Sequence, residues 1–201
     1  MLSVIILFLT VAAIFHFYSP NIADNDSFFY IRRAWQLRAQ GFFDVSFPWI
    51  YHSTTQIYSS ALWYGFTVFL IPFTIFNNLF LGIKLAGILL TAFALLAYHI
   101  VIKRHQLKFA LLWPFLLLFS APNVLYRFLM VRPQLISVGL SVLLFSLLIS
   151  GGIWGVFFAS AGIVWFHMNF AWLPVLIPGV VAGAGFRNSS FGISKIITLE
   201  V

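Results

Sequence analysis

Apolar residues fall in long unbroken blocks along this chain, and polar residues are confined to the gaps between them. The blocks are 1–18, 61–76, 83–102, 109–121, 135–150, 153–166 and 171–186. Several approach the roughly 20 residues that a helix needs to cross the hydrocarbon layer of a bilayer. A single segment inside that layer satisfies its own backbone hydrogen bonds only as a helix, so each block predicts a helix. The longest polar-containing stretch is 19–60. Shorter breaks are Asn77-Asn78, the basic run Lys103-Arg104-His105-Gln106-Leu107-Lys108, the stretch 122–134 and Gly151-Gly152. No internal repeat or low-complexity linker is present.

The polar stretch 19–60 carries a helix pattern of its own. From Phe28, apolar residues recur at Ile31, Ala34, Trp35 and Ala39, with Arg32, Arg33, Gln36 and Gln40 on the opposite arc. Phe29 and Arg38 break the pattern. Such a helix is expected to lie in the membrane interface with its polar face toward headgroups. Asp26 stands just before it, where an N-cap belongs.

Orientation follows from Lys103, Arg104 and Lys108, because short loops rich in Lys and Arg stay cytoplasmic. With the N-terminus on that side too, 19–60 lies outside, and one of the blocks 61–76 and 83–102 does not cross. The block 61–76 is short, begins with Trp63 and Tyr64 and is interrupted by Pro72, so it reads as a re-entrant or interfacial helix. The crossings are then six: 1–18, 83–102, 109–121 extended by a few residues, 135–150, 153–170 and 171–186. In a competing topology 61–76 crosses and the N-terminus is outside, which the three arginines of the first loop favour.

The expected architecture is thus an all-α, polytopic transmembrane helix bundle in one domain, 1–201. It comprises a first span (1–18), an external loop with interfacial helices (19–82), the remaining spans (83–186) and a tail (187–201). Composition agrees. The 201 residues are 62% hydrophobic and 7% charged, against about 25% charged in soluble domains. The net charge of +7 raises nucleic acid as a partner. That partner is rejected, since the basic residues lie between apolar blocks without forming a stripe. Membrane lipid headgroups and phosphates suit them better. Without cysteine, disulfides, thiolate catalysis and Cys-ligated zinc are excluded. The first block lacks a basic start and an Ala-x-Ala-like end, so it reads as a retained helix rather than a signal peptide.

Three constellations can carry chemistry. In Asp24-Asn25-Asp26, a carboxylate at the outer membrane face can bind a divalent metal or act as a general base; the plainer reading makes Asp26 a helix cap and leaves Asp24 solvated. Arg127 and Arg132 suit a lipid phosphate or diphosphate, which a planar guanidinium grips with two bonds; otherwise they anchor helix ends among headgroups. His167 and Asn169 end an apolar block, where polar groups are costly and often functional; otherwise they are hydrated at the interface. The five histidines show no metal-ligand spacing. Gly179 and Gly183 form a GxxxG pair, a weak sign of close helix packing.

The run Ala23-Asp24-Asn25-Asp26-Ser27-Phe28-Phe29-Tyr30-Ile31-Arg32-Arg33-Ala34 resembles the first external loop of GT-C fold glycosyltransferases, most of all the catalytic subunits of oligosaccharyltransferases. Ser53-Thr54-Thr55 through Phe76 is similar to the later part of that loop. Ala121-Pro122 through Tyr126-Arg127 is similar to the start of the second. The resemblance covers roughly residues 1–150. It implies transfer of a sugar or glycan from a polyprenyl-phosphate or -diphosphate donor at the outer face of the cell membrane. It makes Asp26, with Asp24, the catalytic carboxylates, Asp26 either binding magnesium or manganese or activating the acceptor, since other branches of the fold work without a metal. It gives Arg127 and Arg132 the donor phosphate, and Arg32, Arg33, His167 and Asn169 contacts with acceptor or lipid. The acidic pair that oligosaccharyltransferases carry after the second-loop arginine is replaced here by Phe128-Leu129-Met130-Val131-Arg132-Pro133-Gln134. Those enzymes are also longer, so the resemblance implies a fragment or a reduced relative.

Overall fold

A computed structural model of the chain describes residues 1–41, 63–76, 78–150 and 152–167. Asp44, Ser53-Thr54-Thr55, Asn169, the Gly179/Gly183 pair, the expected span 171–186 and the tail 187–201 lie outside the described residues. Among the described residues all regular structure is helical. Helix α1 spans Leu2–Tyr18, α2 Asn25–Gln40 and α3 Tyr64–Leu70, continued by a 3-10 turn, Ile71–Thr74. Then follow α4 (Leu79–Arg104), α5 (Leu112–Leu118), α6 (Pro122–Leu129), α7 (Pro133–Ser150) and α8 (Ile153–Phe166).

The central element is α4, against which α1 and α7 pack. Its start is fixed by Asn78, whose side chain accepts hydrogen bonds from the backbone N–H of Phe80 and Leu81, donors a helix start leaves unpaired. Three pairings set the direction of α1. Lys84 meets Ser19, Thr91 meets His16, and His99 meets Phe8. The two helices are therefore antiparallel, and α1 ends at the same end of the bundle where α4 begins. That end carries Asp24 and Asp26; the other carries Lys103 and Arg104. Helix α7 runs parallel to α4: Gly139 packs on Phe93, and at the basic end His105 and Arg104 reach Ser146 and Ser150. Helix α8 returns along α7 and sets Trp165 against Gly65.

Among the described residues, which leave out the expected span 171–186, the count of spans falls short of the expected six. Two helices, Leu79–Arg104 and Pro133–Ser150, are long and apolar enough to cross a membrane. The count is three if Leu112–Leu118 and Pro122–Leu129, bent by 97° at their junction, form one broken span. Helices α1 (17 residues) and α8 (14 residues) are apolar but shorter. The block 109–121 does not continue straight because Ala121 is extended and Pro122 opens a new helix, its ring having no N–H to extend the old one. The segment 64–74 is also short of a span. It lies against α2, where Arg38 donates to the carbonyl of Thr74 at 2.6 Å.

That cover corrects the expectation for α2. Arg33 and Gln36 were assigned to a face turned toward headgroups, yet they are 7% and 1% exposed. The 64–74 segment and α4 both pack on the helix, and each arc of its sequence pattern contributes buried residues, Ile31 and Ala34 from one, Arg33 and Gln36 from the other. Nor is Asp26 the N-cap. Asp24 holds that position, and Asp26 sits in the first turn.

Gly82 tests this packing. A Cβ there would lie on the backbone carbonyl of Phe73, which cannot yield as a side chain can. Gly82→Ala is expected to cost about 1–3 kcal/mol, the usual range for overpacking. Gly152→Ala, whose nearest neighbour would be 3.6 Å away, should leave stability unchanged. Thermal melts of the two variants in detergent, compared with the parent, provide the check.

Candidate functional site

Residues 23–27 and 126–132 are joined by hydrogen bonds from both sides. The Tyr126 hydroxyl donates to the carbonyl of Ala23 at 2.6 Å. The Val131 N–H donates to Ser27 Oγ at 3.3 Å. Between these, Arg132 grips Asp24 with two bonds, Nε to Oδ2 at 2.6 Å and Nη2 to Oδ1 at 2.5 Å. The same Nη2 lies 2.8 Å from Oδ2 of Asp26. The local sequence prepares both partners. Asp24 is extended at the N-cap of α2 and its side chain does not cap the helix, leaving both oxygens for the arginine. Arg132 precedes Pro133, and the residue before a proline is steered away from helical backbone.

The two carboxylates differ in environment. The side chain of Asp24 is 7% exposed, that of Asp26 55%. Hydrogen bonding to Arg132 holds the Asp24 carboxyl below its ordinary 3.8 despite the opposing effect of burial. The guanidinium is correspondingly held even more firmly in its charged form, first of all by the bond to Asp24. Tyr30, 4% exposed and packed edge-on against Trp63 and Phe66, has its phenol pushed up to about 12 by burial and by the Asp26 charge. It stays protonated beside the pair.

Next to this cluster is a cavity of about 240 Å³ between α1, α4 and α6, whose lining includes Ala23 and Val131, the chain neighbours of Asp24 and Arg132. Lys84 lines it and is 5% exposed. Its ammonium donates to the carbonyl of Ser19 at 2.6 Å and lies 4.8 Å from the ring centre of Phe80. His16, also on the wall, bonds Thr91 at 3.1 Å, and the Thr91 hydroxyl donates to the carbonyl of Phe128 at 2.8 Å. Because that hydroxyl has only one proton, Thr91 Oγ accepts from His16 Nε2.

Of the residues singled out in the sequence, Asp24, Asp26 and Arg132 come together. Arg127 does not join them: it is exposed on α6, with no hydrogen bond or ion pair among the described residues. Arg32 is half-buried with its guanidinium 4.1 Å from the ring centre of Trp35, and Arg33 is buried. His167 caps α8, which packs on α7 and α3, and is buried. Lys84, Ser27, Tyr30 and His16 belong to the site without having been singled out. For Lys84 the signal was present: a lysine inside an otherwise apolar block is itself a candidate.

A magnesium or manganese ion fits this donor set poorly. Both oxygens of Asp24 and one of Asp26 already face a guanidinium, leaving a single carboxylate oxygen beside a fixed positive charge. No group of three His, Asp or Glu residues gathers among the described residues. The cation of this cluster is Arg132.

Comparison of the chain with protein-family models, curated proteins and solved structures finds no match. The likeness to GT-C glycosyltransferases rests on the motifs quoted above.

The difference between the two carboxylates predicts a difference in stability. The folded Asp24 titrates below its unfolded value, so its charge stabilises the fold above about pH 4, and that contribution disappears as pH falls toward the depressed value. Asp24→Asn is expected to cost about 1–3 kcal/mol at pH 7 and Asp26→Asn no more than about 1 kcal/mol. In thermal melts the gap between parent and Asp24→Asn should narrow below about pH 4. A gap constant from pH 7 to pH 3 would contradict the assignment.

Proposed function

We propose that this chain is a GT-C-type glycosyltransferase. It moves a sugar or glycan from a polyprenyl-phosphate or polyprenyl-diphosphate donor to an acceptor at the outer face of a cell membrane, in which the apolar helices are embedded. One observation carries the reading. Asp26, from the first loop, is more than half exposed while held at 2.8 Å by Arg132, from the second. A general base needs solvent access and a fixed position, and this carboxylate has both.

In the proposed reaction the free oxygen of Asp26 takes the proton of the acceptor hydroxyl or amine. The acceptor atom bonds to the anomeric carbon as the bond from that carbon to the phosphate oxygen breaks. The polyprenyl phosphate or diphosphate departs with the electron pair. Arg132 spends Nε and Nη2 on the aspartates. The two N–H groups of Nη1 have no partner among the described residues and are available to the departing phosphate, where charge develops. Asp24 positions Arg132 and does not touch the substrate.

A second reading, a non-catalytic membrane protein such as a transporter, flippase-like protein or complex subunit, is favoured by the same grip of Arg132 on Asp24. That bond ties two loops together whether or not chemistry follows.

One experiment separates the two. Membranes carrying the chain are supplied with radiolabelled polyprenyl-phosphate and polyprenyl-diphosphate hexoses, and glycan release from the lipid is followed. Asp26→Ala is expected to lower the rate by about 10²–10⁴-fold, the usual contribution of a general base, with membrane insertion intact. Unchanged transfer by Asp26→Ala removes its catalytic role; no transfer by the parent with any donor favours the second reading.

A further inference from the structure

The cavity beside the aspartate pair holds a charge with no carboxylate partner among the described residues. Lys84 is 5% exposed and lies within α4, one of the two helices long enough to cross a membrane. Among the described residues no carboxylate is within ion-pair distance of it: both salt bridges belong to Arg132. An ammonium has three donors, and one is used, on the carbonyl of Ser19. The rings of Phe80 and Phe17 lie at 4.8 and 5.6 Å and soften the cost of burial without neutralising the charge. A buried cation is expensive unless paired. Here the unpaired one faces about 240 Å³ of space, many times the roughly 30 Å³ share of one water molecule.

The walls define what would pair with it. Polar groups come from Ser19, Asn21, His16 and Tyr126, and the remainder is apolar, including Ile22 and Leu129. One fixed cation, a few hydrogen-bonding groups and an apolar wall match an anion carried on a hydrocarbon chain. The size of that anion's charge is also constrained. Lys84 supplies one positive charge. His16 has Nε2 committed to Thr91, and Arg132 is outnumbered by Asp24 and Asp26. The adjoining cluster is therefore net negative and repels a second phosphate.

We infer that this cavity seats the phosphate of a polyprenyl monophosphate and selects it over a diphosphate, through Lys84. The assignment narrows the donor class of the transferase proposed above and rests on that reading.

The test uses the full chain in phosphatidylcholine nanodiscs. Two probes differ by one charge: methyl farnesyl phosphate and methyl farnesyl diphosphate. Equilibrium titration should show the monophosphate binding more tightly. Lys84→Met should weaken it about ten- to hundredfold, the range set by one charge-assisted hydrogen bond. Leu129→Trp, which fills the cavity and keeps the lysine, should weaken it as well, so the result does not depend on one variant's folding. Asp26→Ala, which leaves the adjoining cluster with one carboxylate for one guanidinium, should narrow the preference for the monophosphate. Tighter binding of the diphosphate, unchanged affinity in Lys84→Met, or equal competition by phosphatidylglycerol or inorganic phosphate overturns the assignment. Monophosphate binding by a parent chain that transfers no sugar would retire the transferase reading and leave the anion site standing.

Discussion

The contact between Arg132 and the two aspartates is the constraint on which the acidic end of the bundle depends. It joins the segment after α1 to the segment before α7, and each segment positions a helix packed on α4. Tyr126 to Ala23 and Val131 to Ser27 flank it, so the two strips of chain are held at three places. The energetics are modest. An ion pair with one partner nearly buried gains little over its desolvation cost, and removing Asp24 leaves a guanidinium that is 25% exposed and still paired with Asp26, which keeps the loss to about 1–3 kcal/mol. The arrangement is better seen as fixing position than as adding stability. Position is what the exposed carboxylate of Asp26 needs.

Below this clamp lies a second polar connection. His16, Thr91 and the carbonyl of Phe128 form a chain of hydrogen bonds from α1 through α4 to the end of α6. The carbonyls at a helix C-terminus have no partner within the helix, and Thr91 satisfies one of them inside an apolar bundle. Gly87 makes the approach feasible, since a Cβ there would strike both His16 and Val131. The clamp, the cavity and this chain thus occupy one level of α4, from Lys84 to Thr91.

Much of this was legible in the sequence where a pattern is strong, and hidden where tertiary contact decides. The apolar blocks 83–102 and 135–150 emerge as Leu79–Arg104 and Pro133–Ser150, because long apolar runs leave a helix as the only way to satisfy the backbone. The helix after Asp24 was visible from its periodicity. Its surroundings were not: periodicity reports two arcs, and only the fold shows that Arg33 and Gln36 on the polar one are buried. The bend at Ala121-Pro122 was signalled by the proline, yet the apolar residues around it read as one run. Asp24 and Asp26 stand out as rare acids in a basic chain. Their division into a buried clamp member and an exposed carboxylate depends on an arginine 108 residues from Asp24, beyond any local pattern. Lys84 was obscured for the opposite reason, a single charge in a block dominated by its neighbours.

That separation along the chain has a consequence for how the molecule is made. Asp24 leaves the ribosome 108 residues ahead of Arg132, an interval of roughly 5 to 20 s at ordinary rates of synthesis. Throughout it α1, α2 and α4 can be docked while both acids remain hydrated. The acidic end is therefore completed late in biogenesis, when the final turn before α7 arrives and takes hold of side chains that have been waiting in water.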